Sequence, residues 1–143
     1  MKIQAAEIKS KGFCLANLKV DEQKAKDGIW FDYIEGVKFL LARSGSAAYS
    51  KWLSNYMKEH ETVIKSGTEE GDRVAELGII EAVARFELRD WSGVVDENGE
   101  VLPYSVEKAM EYLDIEEVFE FVRSKTAKRE LWRVQSTQEL GKN

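Results

Sequence analysis

The stretch that decides the fold is Trp91-Ser92-Gly93-Val94-Val95-Asp96-Glu97-Asn98-Gly99-Glu100-Val101-Leu102-Pro103-Tyr104-Ser105, which lies between two long helical patterns. Its centre, Asp96-Glu97-Asn98-Gly99, is typical of a tight turn, because Asn and Gly tolerate positive φ angles. The flanking apolar pairs, Val94-Val95 and Val101-Leu102, can pair as a very short hairpin. Pro103 favours an extended residue before it and lets Ser105 cap the next helix. We therefore expect a small turn or hairpin near residues 93–102, called the knuckle below, that ends one helix and orients the next.

The composition is that of a soluble globular protein. The chain has 143 residues, of which 43% are hydrophobic and 33% charged, and this length suits one domain. It contains no apolar run long enough to span a membrane and no signal-peptide pattern. The single cysteine, Cys14, is expected to be a small core residue in a reducing compartment. We predict one cytoplasmic domain over residues 1–143, with residues 1–12 and 135–143 poorly ordered.

The charge distribution argues against nucleic acid as the main ligand. The formal net charge is −5, and acidic and basic residues are interspersed along the chain. Phosphate binding requires clustered Lys and Arg. We expect neither a nucleic acid nor a membrane as a partner.

A β-hairpin is predicted in the first third of the chain. The apolar runs Ile29–Ile34 and Val37–Ala42 flank Glu35-Gly36, which is the spacing of a two-residue hairpin loop. In that register, one face carries Trp30, Ile34, Val37, Phe39 and Leu41, and the other carries Ile29, Phe31, Tyr33, Leu40 and Ala42. Because both faces are apolar, we expect helices or another subunit to cover both.

The N-terminal 27 residues give weaker patterns. They suggest an extended lead-in over Lys2–Lys11, a buried strand over Gly12–Leu18 and a short helix over Asp21–Lys26 that ends at Gly28.

Helical periodicity dominates the rest of the chain. After Ser44-Gly45-Ser46, which offers an N-cap, an apolar stripe runs from Tyr49 to Ile64 and ends near Gly67. Thr68 begins a second helix, whose stripe runs to Trp91. Gly78 within this helix suggests a close backbone crossing.

Two further helices follow the knuckle. The first extends from Ser105 through Leu113, and Asp114 with Glu117 forms a capping box for the last one. The inward face of the last helix comprises Ile115, Val118, Phe119, Val122 and Leu131. The predicted class is α+β, mainly α, with an N-terminal β-hairpin packed on about four helices.

Some aromatic residues are candidates for a partner surface. Phe121 and Trp132 fall outside the main stripe of the last helix. Tyr49 and Trp52 belong to an aromatic stripe of a kind that is enriched at interfaces, although packing within the chain remains the alternative.

The chain offers little that could support catalysis. Its one histidine, His60, has no partner motif, and no phosphate-binding glycine loop occurs. Asp96, Asn98, Glu100 and Glu107 occupy positions one, three, five and twelve of a calcium loop. That loop requires glycine at the sixth position, which is Val101 here, and Pro103 stiffens the eighth. We expect no enzymatic activity, no metal and no cofactor.

Short motifs carry one family resemblance. Trp91-x-Gly93, then Asp96-Glu97-Asn98-Gly99, then Leu102-Pro103-Tyr104-Ser105 resembles the W-x-G, D-x-x-G, P-[FY]-S signature of tail assembly chaperones of long-tailed (siphovirus-type) bacteriophages. Asp27-Gly28-Ile29-Trp30 and Leu41-Ala42-Arg43-Ser44-Gly45 are similar too, so the resemblance extends over about residues 27–132. The motif residues Trp91, Gly93, Asp96, Gly99, Pro103 and Tyr104 are assigned to shaping the knuckle.

The resemblance implies a role without catalysis. Such a chaperone coats the tape-measure protein until tail tube subunits polymerise around it, in the cytoplasm of the bacterial host, and is absent from the mature virion. The resemblance also implies contact with the tail tube protein and a longer frameshifted form. The apolar surface of the hairpin and of the wide helical stripe favours self-association into a homo-oligomer, or a long apolar partner. The alternatives are a small oligomeric adaptor that binds another folded protein, and a small enzyme that uses scattered carboxylates.

Overall fold

A three-stranded antiparallel sheet and six α-helices make up the computed structural model, which describes residues 12–134. In chain order the elements are α1 (Glu22–Asp27), β1 (Ile29–Asp32), β2 (Lys38–Leu41), α2 (Ala47–Glu59), α3 (Glu61–Ile64), α4 (Glu69–Phe86), β3 (Leu88–Ser92), α5 (Val106–Leu113) and α6 (Glu116–Thr126). The strand order is β1-β2-β3. The predicted α+β, mainly α class is confirmed. The predicted lead-in over Lys2–Lys11 and the tail 135–143 lie outside the described residues.

The β1–β2 hairpin is confirmed, but its predicted register is wrong by one residue. Phe31 pairs with Phe39, because the Tyr33 amide donates to the Val37 carbonyl at 2.8 Å and encloses a three-residue loop. The slip moves Phe31 onto the same face as Phe39, which is buried. The opposite face is not covered within residues 12–134, since it leaves the Trp30 side chain 47% exposed. Among the described residues no helix covers this face, and cover by another subunit stays a prediction.

Residues after Phe86 form a strand where the sequence predicted a helix through Trp91. Leu88 and Trp91 are both buried, although they are three positions apart and a regular strand would place them on opposite faces. A bulge in the β2–β3 pairing lets both side chains point to the core, because it inserts one extra residue between them. The spacing that suggested a helix is therefore that of a bulged strand.

Most of the predicted helix starts are confirmed. Ser46, Thr68 and Ser105 cap α2, α4 and α5, and each side-chain oxygen accepts a backbone N–H at 3.1 Å. The close backbone crossing predicted at Gly78 is instead a close side-chain contact, since a Cβ there would lie 2.5 Å from Cδ1 of the Tyr56 ring.

The predicted capping box at Asp114 is wrong. The Asp114 carboxylate instead accepts two hydrogen bonds from Arg73, at 2.9 and 2.7 Å, and these bonds lower the pKa of Asp114. α6 begins without a side-chain cap. It ends at Thr126, so Leu131 lies in the 3-10 turn Arg129–Trp132 rather than on the helix.

The region before α1 also differs from expectation. Residues Leu15–Leu18 form a 3-10 turn in place of the predicted buried strand, and the Leu15 side chain is 74% exposed. Cys14 is exposed as well and is not a core residue. The helix predicted over Asp21–Lys26 is confirmed as α1, with Asp21 as its N-cap and Gly28 as its C-cap.

A buried carboxylate at the junction of α4 and β3 joins the sheet to α6. The Glu87 side chain is 1% exposed; it accepts a hydrogen bond from Thr126 at 2.6 Å and is ion-paired with Arg123 at 2.7 Å. The Glu87 carbonyl also accepts the Ala42 amide at 2.8 Å, just beyond β2. Burial raises the pKa of the Glu87 carboxyl, and the bonds from Thr126 and Arg123 act in the opposite direction.

Replacing Arg123 by Met leaves the Glu87 carboxylate buried without its cation. We expect Arg123→Met to lower the free energy of unfolding by about 3 kcal/mol near neutral pH. Because the raised pKa of Glu87 means that the folded state binds the proton more tightly, stability falls as pH rises above about 4.5. Without the Arg123 cation the pKa of Glu87 should rise further, so protonation stabilises the variant more than the unsubstituted chain. The difference in the free energy of unfolding between the two chains should therefore shrink on acidification. Urea unfolding at several pH values measures it.

Arg85→Met is the matched control, because Arg85 pairs with Glu81 at 2.7 Å on the surface. This variant should stay within about 1 kcal/mol of the unsubstituted chain. Equal losses for the two arginine variants would show that the Glu87 pair is no more important than a surface pair.

Candidate partner-binding groove

The knuckle is a closed turn held by backbone hydrogen bonds. Val95 and Val101 form an isolated antiparallel bridge, which confirms the predicted short hairpin. Asp96 Oδ1 accepts the amides of Asn98 and Glu100 at 2.8 and 3.0 Å. This oxygen therefore stabilises the turn itself.

Two aromatic side chains attach the knuckle to the core. Trp91 is 7% exposed, and its indole N–H donates to the Leu102 carbonyl at 2.8 Å. The Tyr104 hydroxyl lies 2.9 Å from the Ala84 carbonyl and 2.7 Å from that of Leu88, so its single proton is shared between them. Burial raises the pKa of this hydroxyl. The Trp91 and Tyr104 rings meet edge to face with centroids 5.2 Å apart. The knuckle is thus tied to the end of α4.

A glycine contact places the knuckle directly against the β1–β2 loop. Gly93 has a φ of 77°, and a Cβ at this position would lie 2.5 Å from the Gly36 carbonyl oxygen. Any larger residue would push the two loops apart. Gly99 also has a positive φ, 80°, but a Cβ there would meet nothing within 4 Å. Pro103 is exposed on the return path to α5.

The two loops enclose an apolar groove of about 170 Å³. Its lining comes from the β1–β2 loop, the sheet, the knuckle, α5 and α6, and comprises Tyr33, Ile34, Val37, Phe39, Trp91, Val94, Val95, Tyr112 and Val118. Ile34 is 57% exposed and Val95 is 50% exposed. The groove therefore has a preformed apolar floor and two accessible apolar side chains at its edges, as a protein-binding surface would.

The structure does not bring the predicted partner-surface residues into one site. Tyr49 and Trp52 are half-buried on α2, where the Tyr49 ring lies against Phe86. Phe121 is half-buried on α6 and packs on Tyr33, with ring centroids 4.4 Å apart.

Trp132 is fully buried, and its indole N–H donates to the Lys125 carbonyl at 3.0 Å. It therefore contributes no surface to a partner. Its position outside the helical stripe reflects packing in a separate turn.

The groove residues Ile34, Val95, Tyr112 and Val118 were not identified from the sequence as a surface. The available signal was the presence of apolar side chains directly beside two tight turns, at Ile34 and Val95. Nothing in the sequence indicated that these two turns, about 60 residues apart, touch each other.

The described part of the chain contains no obvious chemical centre. Within residues 12–134, no group of three or more His, Cys, Asp or Glu is placed to hold a metal ion. His60 ends α2, where its ring stacks on Tyr56 at 4.2 Å and its Nδ1 lies 2.9 Å from the Tyr56 carbonyl oxygen. Among the same described residues, no helix is long and apolar enough to cross a membrane.

The two knuckle glycines should differ in their tolerance of a side chain. Gly93→Ala and Gly99→Ala share the strain of a positive φ, about 1–2 kcal/mol. Only Gly93→Ala adds a clash with Gly36, which should lower the free energy of unfolding by about 1–3 kcal/mol more. Thermal or urea unfolding of the two variants measures the difference. Equal destabilisation would contradict the close contact between the knuckle and the β1–β2 loop.

Comparison with known proteins supports a phage origin. Residues 44–143, which include the knuckle and α2 to α6, match the model of the family described as YdaY prophage protein. No curated protein and no solved structure matches the chain. The family description specifies no role in tail assembly. The matched stretch covers well over half of the sequence, and the chain belongs to the YdaY prophage protein family.

Proposed function

We propose that the chain is a phage tail assembly chaperone that binds the tape-measure protein and keeps it soluble while the tail tube polymerises. It acts without catalysis in the cytoplasm of the bacterial host and is absent from the mature virion. The observation that carries this proposal is the apolar groove between the β1–β2 loop and the knuckle. One wall of the groove is the segment whose motif resembles the tail assembly chaperones.

The motif residues support the proposal through their positions. Trp91 ties Leu102 of the knuckle to β3, and Tyr104 bonds to the end of α4 and the start of β3. Gly93 allows the knuckle to contact the β1–β2 loop. The residues that carry the resemblance thus shape a surface on which apolar side chains stay accessible. A protein that shields an elongated, aggregation-prone chain needs such a surface, because apolar burial drives most protein association.

The proposal includes self-association and further partners. The outer face of the sheet exposes Trp30 at 47% and is a candidate contact between copies. A longer frameshifted form and the tail tube protein complete the proposed set of partners.

A small oligomeric adaptor is the second candidate. The groove is preformed by interlocked turns, which also suits docking of one short element from a folded protein. The two candidates differ in what they do to the tape-measure protein, since only a chaperone keeps that protein soluble.

Co-expression with the tape-measure gene of the same phage tests the proposal. The unsubstituted chain should raise the soluble fraction of the tape-measure protein and co-purify with it. The double variant Ile34→Ser/Val95→Ser should lose this effect, because it removes the accessible apolar side chains of the groove. Because Ile34 is 57% exposed and Val95 is 50% exposed, the fold should be retained.

Leu15→Ser/Ile79→Ser is the matched control. These residues are 74% and 37% exposed, and neither lines the groove or belongs to the knuckle. The control should act like the unsubstituted chain. A tape-measure protein that stays insoluble and unbound beside the unsubstituted chain would rule out the chaperone function.

A further inference from the structure

We propose that the groove binds a cationic amphipathic segment of the partner, with apolar side chains on the floor and Lys or Arg at the rim. This inference rests on the proposed function for the identity of the partner, the tape-measure protein. It adds the surface that recognises the partner and the chemistry of the segment that is recognised.

The floor selects apolar side chains. All nine residues that line the groove are aliphatic or aromatic, and the hydroxyls of Tyr33 and Tyr112 are the only polar side-chain atoms beside Trp91 Nε1. That indole N–H already donates to the Leu102 carbonyl. The floor therefore offers few groups that could recognise a polar or charged ligand.

The rim is acidic. The charged residues that directly precede or follow groove residues in loops and helices are Glu35, Asp96, Glu111 and Glu117. One cation, Lys108, lies near Tyr112, and it is already paired with Glu111 at 3.1 Å. Strand neighbours such as Lys38 point to the outer face of the sheet, because side chains alternate along a strand.

Two of the rim carboxylates are free to pair with a partner. Among residues 12–134, Glu35 and Glu117 have no ion-pair partner, whereas Glu111 is paired with Lys108 at 3.1 Å. Asp96 uses one carboxylate oxygen within its own turn. Glu117 lies close enough to Tyr33 to contribute, after burial, to the raised pKa of that phenol.

The same charges disfavour a second copy in the groove. A two-fold symmetric contact would bring the acidic rims of two copies together, and the chain has a net charge of −5. A segment with Lys or Arg beside its apolar residues would neutralise Glu35 and Glu117. Charge complementarity therefore favours a cationic partner over self-association at this site.

Binding of peptides that tile the tape-measure protein tests the inference. Fluorescence anisotropy with the full chain should identify peptides that combine apolar residues with Lys or Arg, and added salt should weaken their binding. Glu35→Lys/Glu117→Lys should weaken it about tenfold, because each reversal replaces an attraction by a repulsion. Both sites are exposed, so the variant should fold.

Glu59→Lys/Glu70→Lys is the control with the same change in net charge, at exposed positions outside the groove. It should alter affinity by no more than about twofold. Equal weakening by both double variants, or selection of acidic or uncharged peptides, would overturn the inference. So would self-association that Ile34→Ser/Val95→Ser abolishes, since a second copy would then occupy the groove.

Co-expression separates the two proposals. If the unsubstituted chain keeps the tape-measure protein soluble and Glu35→Lys/Glu117→Lys does so equally well, the cationic-segment inference fails and the chaperone function stands. If the unsubstituted chain neither solubilises that protein nor binds any of its peptides, both fail.

Discussion

The buried Glu87 carboxylate is the interaction on which the other contacts depend. It lies where α4 ends and β3 begins, and its bonds reach Thr126 and Arg123 on α6, while its carbonyl holds Ala42 beyond β2. A buried charge of this kind costs free energy unless its partners are in place, so it selects one arrangement of these segments over looser ones. Its main effect is therefore to specify how these segments are arranged, and less to add net stability.

The position of β3 then determines the groove. β3 begins immediately after Glu87, and the bulge in its pairing with β2 directs both Leu88 and Trp91 into the core. The indole N–H of Trp91 then donates a hydrogen bond to the Leu102 carbonyl of the knuckle. Gly93 completes the arrangement by allowing the knuckle to touch the β1–β2 loop. The accessible apolar side chains therefore lie on turns that the core fixes rigidly. Such preorganisation lowers the entropy cost of binding.

Local signals in the sequence predicted most of the fold, because caps and turns depend on a few neighbouring residues. The caps at Ser46, Thr68 and Ser105 and the turn of the knuckle are examples. Contacts that depend on distant residues were not predictable in this way. The strand nature of Leu88–Ser92 follows from pairing with β2, and the hairpin register follows from one extra loop residue. The groove combines both problems, since it requires two distant turns to meet.

The proposed binding surface for the tape-measure protein is formed by the β1–β2 loop and the knuckle together. Hydrogen–deuterium exchange of the chain alone and in complex with that protein tests it most directly, because amides covered by a partner exchange more slowly. The account predicts added protection over residues 33–37, 93–102 and 112–118. Protection confined to α2, with no change in these three segments, would contradict it.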